Sequence, residues 1–241
     1  MNPAPIATTL IDILTHGEID IKGQFMLGSN YTFLVTVRYE NQEIPAVYKP
    51  QRGEQPLWDF PSTSLAGREV AAYLVSEALG FCFVPFTILR DGPLGPGSLQ
   101  QYIDYNPNYH YFNFKPADRL RLRPVALFDL LINNADRKGS HIMVQKRTRK
   151  LYLIDHGLCF HSDDKLRTVL WDFAGEAFPA ELISTLNTFR SNLPASLAAR
   201  LSAYLLPEEI SALDSRARDL LLACKFPLPP EDRRAFPYPP L

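Results

Sequence analysis

The sequence is short of cysteine, of any excess charge and of long apolar runs, and each shortage closes off a class of function. Its cysteines, Cys82, Cys159 and Cys224, are odd in number, far apart and without metal-ligand spacing. They suit neither a disulfide framework nor a zinc site, and a reducing, cytoplasmic setting is the simplest expectation. Lys and Arg number 25 against 26 Asp and Glu, a net charge of −1, which gives no support to a nucleic-acid-binding or membrane-coating surface. No apolar run approaches the length of a membrane span, so integral membrane association is not expected. Residues 1–17 lack the positive start and long apolar core of a signal peptide. There is no internal repeat. No Gly-rich loop is followed by the Lys-Ser or Lys-Thr of a Walker A nucleotide loop.

What is present is an ordinary globular composition, 46% hydrophobic and 21% charged over 241 residues. That is enough for a substantial core in one domain or in two small lobes. The oddity is 21 prolines, gathered in loops and in the tail from Pro227 onward. Ile6, Leu10, Ile13 and Leu14 predict a short amphipathic helix over 6–16. Ile19 and Ile21 begin a first strand, broken at Gly23. Tyr31, Phe33, Val35, Val37 and Tyr39 then alternate with Thr32, Leu34, Thr36 and Arg38, the period of a half-buried antiparallel strand. The turn Asn41-Gln42-Glu43 leads to a hairpin partner over 44–49. A helix follows over 64–79, closed by Gly80, then a strand over 81–89, a Gly/Pro turn over 91–97 and a strand over 98–104. Residues 106–116, rich in Asn and aromatics, read either as part of a substrate rim or as a packed irregular insert, the second being favoured. Pro124 opens a helix that is apolar nearly all round over 125–132. Helices over 180–192, 194–205 and 207–225 precede the tail. The expected class is α+β, with an antiparallel sheet and a helix in residues 1–97 and a mostly helical part in 98–241.

Two acidic residues stand in settings that a core position would not choose. Asp136 lies inside the polar cluster Asn133-Asn134-Ala135-Asp136-Arg137-Lys138-Gly139-Ser140-His141, directly after the apolar helix. Asp155 ends the apolar run Leu151-Tyr152-Leu153-Ile154 and precedes His156-Gly157. Between them, 142–144 and 151–154 read as short strands joined by the basic turn Lys146-Arg147-Thr148-Arg149-Lys150. A hairpin of that length brings its ends together, so both carboxylates can face one small volume. One can then orient a nucleophile while the other holds a metal bound to phosphates. Taken singly, each aspartate would be a cap or a turn former, Lys49 a solvated strand-end lysine and Gly28-Ser29-Asn30 merely a turn. With Glu69 near the start of the helix over 64–79, they fall in the chain order that a kinase requires.

These residues resemble the phosphatidylinositol 3-/4-kinase-like branch of the protein-kinase superfamily. The nearest likenesses are the type II phosphatidylinositol 4-kinases, more distantly the HipA toxin kinases, and the short bacterial proteins of that branch. The resemblance rests on Val47-Tyr48-Lys49-Pro50, on Arg68-Glu69 followed by Ala71-Ala72-Tyr73, on Asn134-Ala135-Asp136-Arg137 and on Asp155-His156-Gly157. It implies a two-lobed protein-kinase-like fold that binds ATP with Mg²⁺ or Mn²⁺. It implies that Ser29 and Asn30 cover the nucleotide, that Lys49 holds its phosphates and that Glu69 holds Lys49. Backbone atoms of Gln101, Tyr102 and Ile103, in the hinge, would meet the adenine. Asp136 would orient the acceptor hydroxyl, with Arg137 beside it in the catalytic loop and paired to a neighbouring carboxylate. Asp155 would bind the metal. His141 stands where the family has an Asn that ligates a second metal, and an imidazole there suits Mn²⁺ better than Mg²⁺. His156 is expected to shape the backbone, Asn133 and Asn134 to fix the loop, and Arg68 to face solvent or stack on the sheet.

The activity implied is ATP-dependent phosphotransfer to a hydroxyl. A protein or small-molecule acceptor is favoured over a lipid headgroup, because Lys165 and Arg167 are the only basic residues of the segment 158–179, where lipid kinases carry a basic cluster. Two other readings stay open: a nucleotide-binding pseudokinase that acts through interactions, for which His141 is the motive, and transfer of AMP on the same scaffold.

Overall fold

A computed structural model describes residues 9–26 and 30–241. The chain divides into two compact units, one made of the chain up to Ala66 with Phe86–Tyr102, the other of Gly67–Pro85 with Ile103–Leu241. The division therefore falls after Tyr102 rather than after residue 97, because the strand that starts at Gly95 stays paired as far as Gln101, opposite Ala46.

The first unit follows period-two patterning. Helix α1 (Leu10–His16) opens on Thr9, whose side chain accepts the Asp12 amide while the Asp12 carboxylate accepts the Thr9 amide. Such a cap is worth about 1 kcal/mol. Ile6, expected in this helix, lies outside the described residues. Strands β1 (Glu18–Gln24), β2 (Phe33–Tyr39), β3 (Gln42–Pro50), β4 (Thr87–Gly92) and β5 (Gly95–Gln101) form an antiparallel sheet in the order β1-β2-β3-β5-β4. At Gly23 the register of β1 shifts but the strand goes on, a bulge rather than the expected break. Phe33, Val35 and Val37 face inward with Ala46, Tyr48 and Leu99, and Ile13 and Leu14 of α1 pack on them. Each large apolar side chain so buried contributes about 1.5–3 kcal/mol. Tyr31, expected in β2, lies before it: its amide donates to the Gly53 carbonyl, and its ring occupies the space a Cβ on Gly53 would need. The β4–β5 hairpin is tighter than the expected turn over 91–97, with only Pro93 and Leu94 outside the ladder. Glycine is required beside it, since a Cβ on Gly92 or Gly97 would come within 2.7 Å of the Tyr48 ring.

Helix α2 (Leu65–Ala78) starts in the first unit, where the Glu54 carboxylate accepts the amides of Leu65 and Ala66, an anion at the positive end of the helix. From Gly67 onward it belongs to the second unit. The strand expected from residue 81 begins only at Thr87. Ahead of it the chain is irregular, with Cys82 at φ 49° and the Ser76 hydroxyl accepting the amides of Phe83 and Val84.

The rest of the second unit comprises α3 (Pro116–Arg119), α4 (Arg123–Ile132), β6 (Ile142–Val144), β7 (Leu151–Leu153), α5 (Ala180–Asn192), α6 (Ala198–Leu201) and α7 (Pro207–Ala223). Helix α4 is buried along most of its length, as its all-round apolar pattern demands. Helices α5 and α6 are joined by a π-type segment, Leu193–Leu197, not separated by a loop. The sequence has proline at 194, which has no amide for the α-helical ladder. Tyr111 and Phe114 are buried, so the insert over 106–116 is packed. Arg68 departs from expectation. It is 1% exposed, pairs with Glu209 of α7 and donates to the Cys159 carbonyl at 2.6 Å. A buried Glu209 demands a buried cation, which overrides the pull of solvent on Arg68. Among the described residues no helix is long and apolar enough to cross a membrane.

Candidate active site

The site forms at the open end of the β6–β7 hairpin. Ile142 pairs with Leu153, and beyond that pair the Ile154 amide donates to the His141 carbonyl at 3.1 Å. His141 Nε2 lies 3.2 Å from Asp155 Oδ2. Asp136 belongs to the same neighbourhood. Burial, reinforced by the negative charge of Asp155 and opposed by Lys138 and Arg137, pushes its carboxyl up to about 6. Lys138 Nζ stands 3.2 Å from Asp136 Oδ2. Asp136 is partly buried, whereas Asp155 is half exposed.

The loop that carries Asp136 is held from several sides. Helix α4 ends on Asn133 at φ 53°, a left-handed cap that asparagine tolerates. The Asn133 amide group donates to the carbonyls of His161 and Asp163, and its oxygen accepts the Lys165 amide. Asn134 Oδ1 accepts the Asp136 amide at 3.0 Å, and Asn134 Nδ2 donates to Asp129 Oδ1 at 3.1 Å. Both asparagines fix the loop. The tail adds a strap: the Gly139 amide donates to the Pro240 carbonyl at 2.8 Å, and Thr168 and the Trp171 indole both donate to the Ala235 carbonyl.

Arg137 is fully buried. Its Nε donates to both Asp129 carboxylate oxygens at 3.0 Å, its Nη1 to the Ile154 carbonyl at 3.0 Å, and its Nη2 faces His156 Nε2 at 2.8 Å. A guanidinium only donates, so His156 Nε2 must carry the lone pair and Nδ1 the proton. Nδ1 lies 3.7 Å from Glu69 Oε2, which also accepts the His156 amide at 3.0 Å. Burial, opposed by Glu69 and aided by Arg137, lowers the His156 pKa and keeps the ring neutral. A buried polar chain thus runs Asp129–Arg137–His156–Glu69 from α4 through the loop to α2. Arg137, expected in the catalytic set and paired to a neighbouring carboxylate, has no part of its side chain exposed. Its carboxylate partner, Asp129, was not singled out in the sequence. The signal was there in Phe128-Asp129-Leu130-Leu131: an acid inside an apolar helix is paired when buried.

Lys49 sits in β3 opposite Ser98. Asn30 Oδ1 accepts the Gln55 amide at 2.7 Å, tying the loop after β1 to the loop after β3. Ser29 lies outside the described residues. In the hinge, the Gln101 amide donates to the Phe86 carbonyl and the Tyr102 amide to that of Pro45. Both of those amides are engaged within the sheet unit, which leaves the carbonyls of this stretch for the expected backbone contacts to adenine. Ile103 is buried.

Asp155 and His141 converge, but among the described residues no group of three or more His, Cys, Asp or Glu forms a metal cage. One half-exposed carboxylate with one imidazole fits a divalent ion that draws its other ligands from phosphate and water, not a resident all-protein site.

Comparison with known proteins extends this picture. The chain is 38% identical over 273 residues to Protein Rv2133c of Mycobacterium tuberculosis, spanning 97% of this chain and 98% of that protein. The chain belongs to the Rv2133c family. It is also 30% identical over 135 residues to phosphatidylinositol 4-kinase gamma 4 of Oryza sativa subsp. japonica, across 47% of this chain and 24% of that protein. No family model matches. Of solved structures, it is similar to the golgi casein kinase, with TM-score 0.57 and 17% identity over 92% of this chain and 78% of that one. It is similar to the Helicobacter pylori proinflammatory kinase CtkA, with TM-score 0.52 and 13% identity over 86% and 92%. It is similar also to hydra Fam20, with TM-score 0.51 and 15% identity over 90% of each chain. At such identities the likeness is one of fold, so this member of the Rv2133c family has a kinase-like α+β fold.

Proposed function

We propose that this chain is an ATP-dependent phosphotransferase of the phosphatidylinositol 3-/4-kinase-like type. It would transfer the γ-phosphate to a hydroxyl group. The observation that carries the reading is the meeting, at the end of one hairpin, of the half-exposed Asp155 and of Asp136 with its carboxyl pushed up to about 6. A base titrating near neutrality is matched to receiving a hydroxyl proton. In this reading Asp136 takes that proton as the acceptor oxygen bonds to the γ-phosphorus. The bond to the β–γ bridging oxygen breaks, and ADP leaves. Lys138 offers a positive charge beside Asp136, and Asn134 and Arg137 hold the loop in place. A divalent ion, Mg²⁺ or Mn²⁺, would be held by Asp155 and His141 and would supply charge to the phosphates. The resemblance assigns Lys49 to the phosphates, Glu69 to Lys49, and Ser29 and Asn30 to cover the nucleotide. It leaves Ile103, with the carbonyls of its neighbours, for the base. A protein or small-molecule acceptor suits the sparse cations of segment 158–179 better than a lipid headgroup does.

The test is purified protein with ATP labelled at the α- or γ-phosphate, with Mg²⁺ or Mn²⁺. Label transfer or ADP release from γ-labelled ATP, lost in Asp136→Asn, is the expected outcome. Nucleotide binding without turnover would make the chain a pseudokinase. Transfer of the α-label alone would make it an AMP transferase.

A further inference from the structure

The other end of the β6–β7 hairpin carries a feature that phosphotransfer leaves unused. Its turn holds the exposed Lys146, Arg147, Arg149 and Lys150. A bridge between Tyr105 and Gln145 and a bond from the Lys146 amide to the Asp104 carbonyl bring the segment after the hinge against it. Between the two walls lies a groove of about 610 Å³ lined by Asn106, Tyr109, Lys115, Val144, Lys146 and Arg149. The groove is built, not incidental. Buried Asp118 accepts the Tyr109 hydroxyl and Arg149 Nη2, each at 2.6 Å, and Arg121 Nη1 at 2.9 Å. Arg121 also donates to the Arg149 carbonyl at 2.9 Å, and Lys146 Nζ pairs with Asp104 at 2.7 Å. Lys115, Lys146 and Arg149 line the groove, Arg121 backs it through Asp118, and Asp104 and Asp118 are the acids paired there, so positive charge is in excess on a chain whose net charge is −1.

We propose that this groove binds an Asp- and Glu-rich segment of a protein. Clustered cations held in a fixed arrangement complement such a segment and speed its encounter. A membrane fits less well: Lys115, Lys146 and Arg149 line a concavity, and the turn 146–150 has no apolar side chain to insert among lipids. The three-residue strands of the hairpin span about 10 Å, so a protein docked at the turn has residues flanking its acidic segment within reach of Asp136. That the docked protein is the phosphoacceptor rests on the phosphotransferase reading; the binding itself does not.

The experiment measures fluorescence anisotropy of a labelled poly-glutamate peptide with the full chain, and in parallel co-sedimentation with phosphatidylcholine vesicles containing phosphatidylserine. The peptide should bind, and binding should weaken as salt rises. The double reversal Lys115→Glu and Arg147→Glu, at two exposed positions, should weaken it by about tenfold or more with an unchanged melting temperature. No binding of the peptide, or equal binding by the variant, overturns the proposal. Vesicle binding with the same charge dependence overturns it too and assigns the groove to a lipid surface. Peptide binding without label transfer would remove the enzyme and leave the groove; label transfer without peptide binding would do the reverse.

Discussion

The two units bury different chemistry. In the sheet unit the buried polar residues are neutral, as in the Gln100–Thr87 pair at 2.9 Å. The second unit buries Arg68, Glu69, Asp129, Arg137, His156 and Glu209. Apolar packing is non-directional and tolerates rearrangement. Buried ion pairs add little net stability, because desolvation offsets attraction, but they are directional and penalise misplacement. The sheet unit is thus built to cohere, and the second unit to hold particular atoms in place.

The contrast breaks hardest at Asp136. Replacing it by Asn should cut turnover about 10²–10⁴-fold while making the protein more stable. Its folded pKa, about 6, is raised above the ordinary value of 3.8. The stability linked to its protonated form is therefore present below 3.8 and lost as pH rises through 6. At pH 7.5 the Asn variant should gain up to about 3 kcal/mol, read from thermal melts. A variant less stable than the parent would mean that the site stores no such cost.

Next is the ion pair. Arg137→Met strands the Asp129 carboxylate and should cost about 3–5 kcal/mol in urea unfolding. Adding Asp129→Leu should recover much of that loss, yet turnover should stay low because the loop is no longer located. In the sheet unit, Gln100→Leu should cost only about 1 kcal/mol. Equal costs in the two units would erase the comparison.

A smaller effect sharpens it. His156 has a lowered folded pKa, so the stability linked to its neutral form is present above the ordinary 6.5 and lost as pH falls below it. In the Asp136→Asn background, which removes the opposing trend, the protection factors of amides in the second unit, taken relative to the intrinsic exchange rate at each pH, should fall from pH 6.5 to 5. The strands β2 and β3 should not follow. Smallest of all, His141→Asn should raise the ratio of Mg²⁺- to Mn²⁺-supported turnover, since a carboxamide oxygen is the harder ligand.

The same contrast explains what could be read from the residues alone. Alternation from Phe33 to Val37 shows the buried face of β2, because one side chain in two meets the core. The hairpin that joins Asp136 to Asp155 was legible from two apolar runs and a basic turn. The burial of Arg68 and Arg137 was not, although a carboxylate partner was expected for Arg137, because charge in a sequence does not reveal whether a pair is taken into the core. Asp129 stands eight residues before Arg137, and Glu209 lies 141 residues beyond Arg68. The hinge amides were likewise hidden, since a strand's last hydrogen bonds depend on its register.

Asp155 takes φ 66°. A left-handed backbone costs most residues about 1–2 kcal/mol, Gly nothing and Asn little. The consequence concerns descent. Asn, Gly, Ala and Val are all a single base change from an aspartate codon, but only Asn and Gly keep this bend without penalty. A lineage that abandons catalysis should therefore drift at 155 toward Asn or Gly while Asp129 and Arg137 persist to hold the fold. Inactive relatives with Ala or Val commoner there would count against that history.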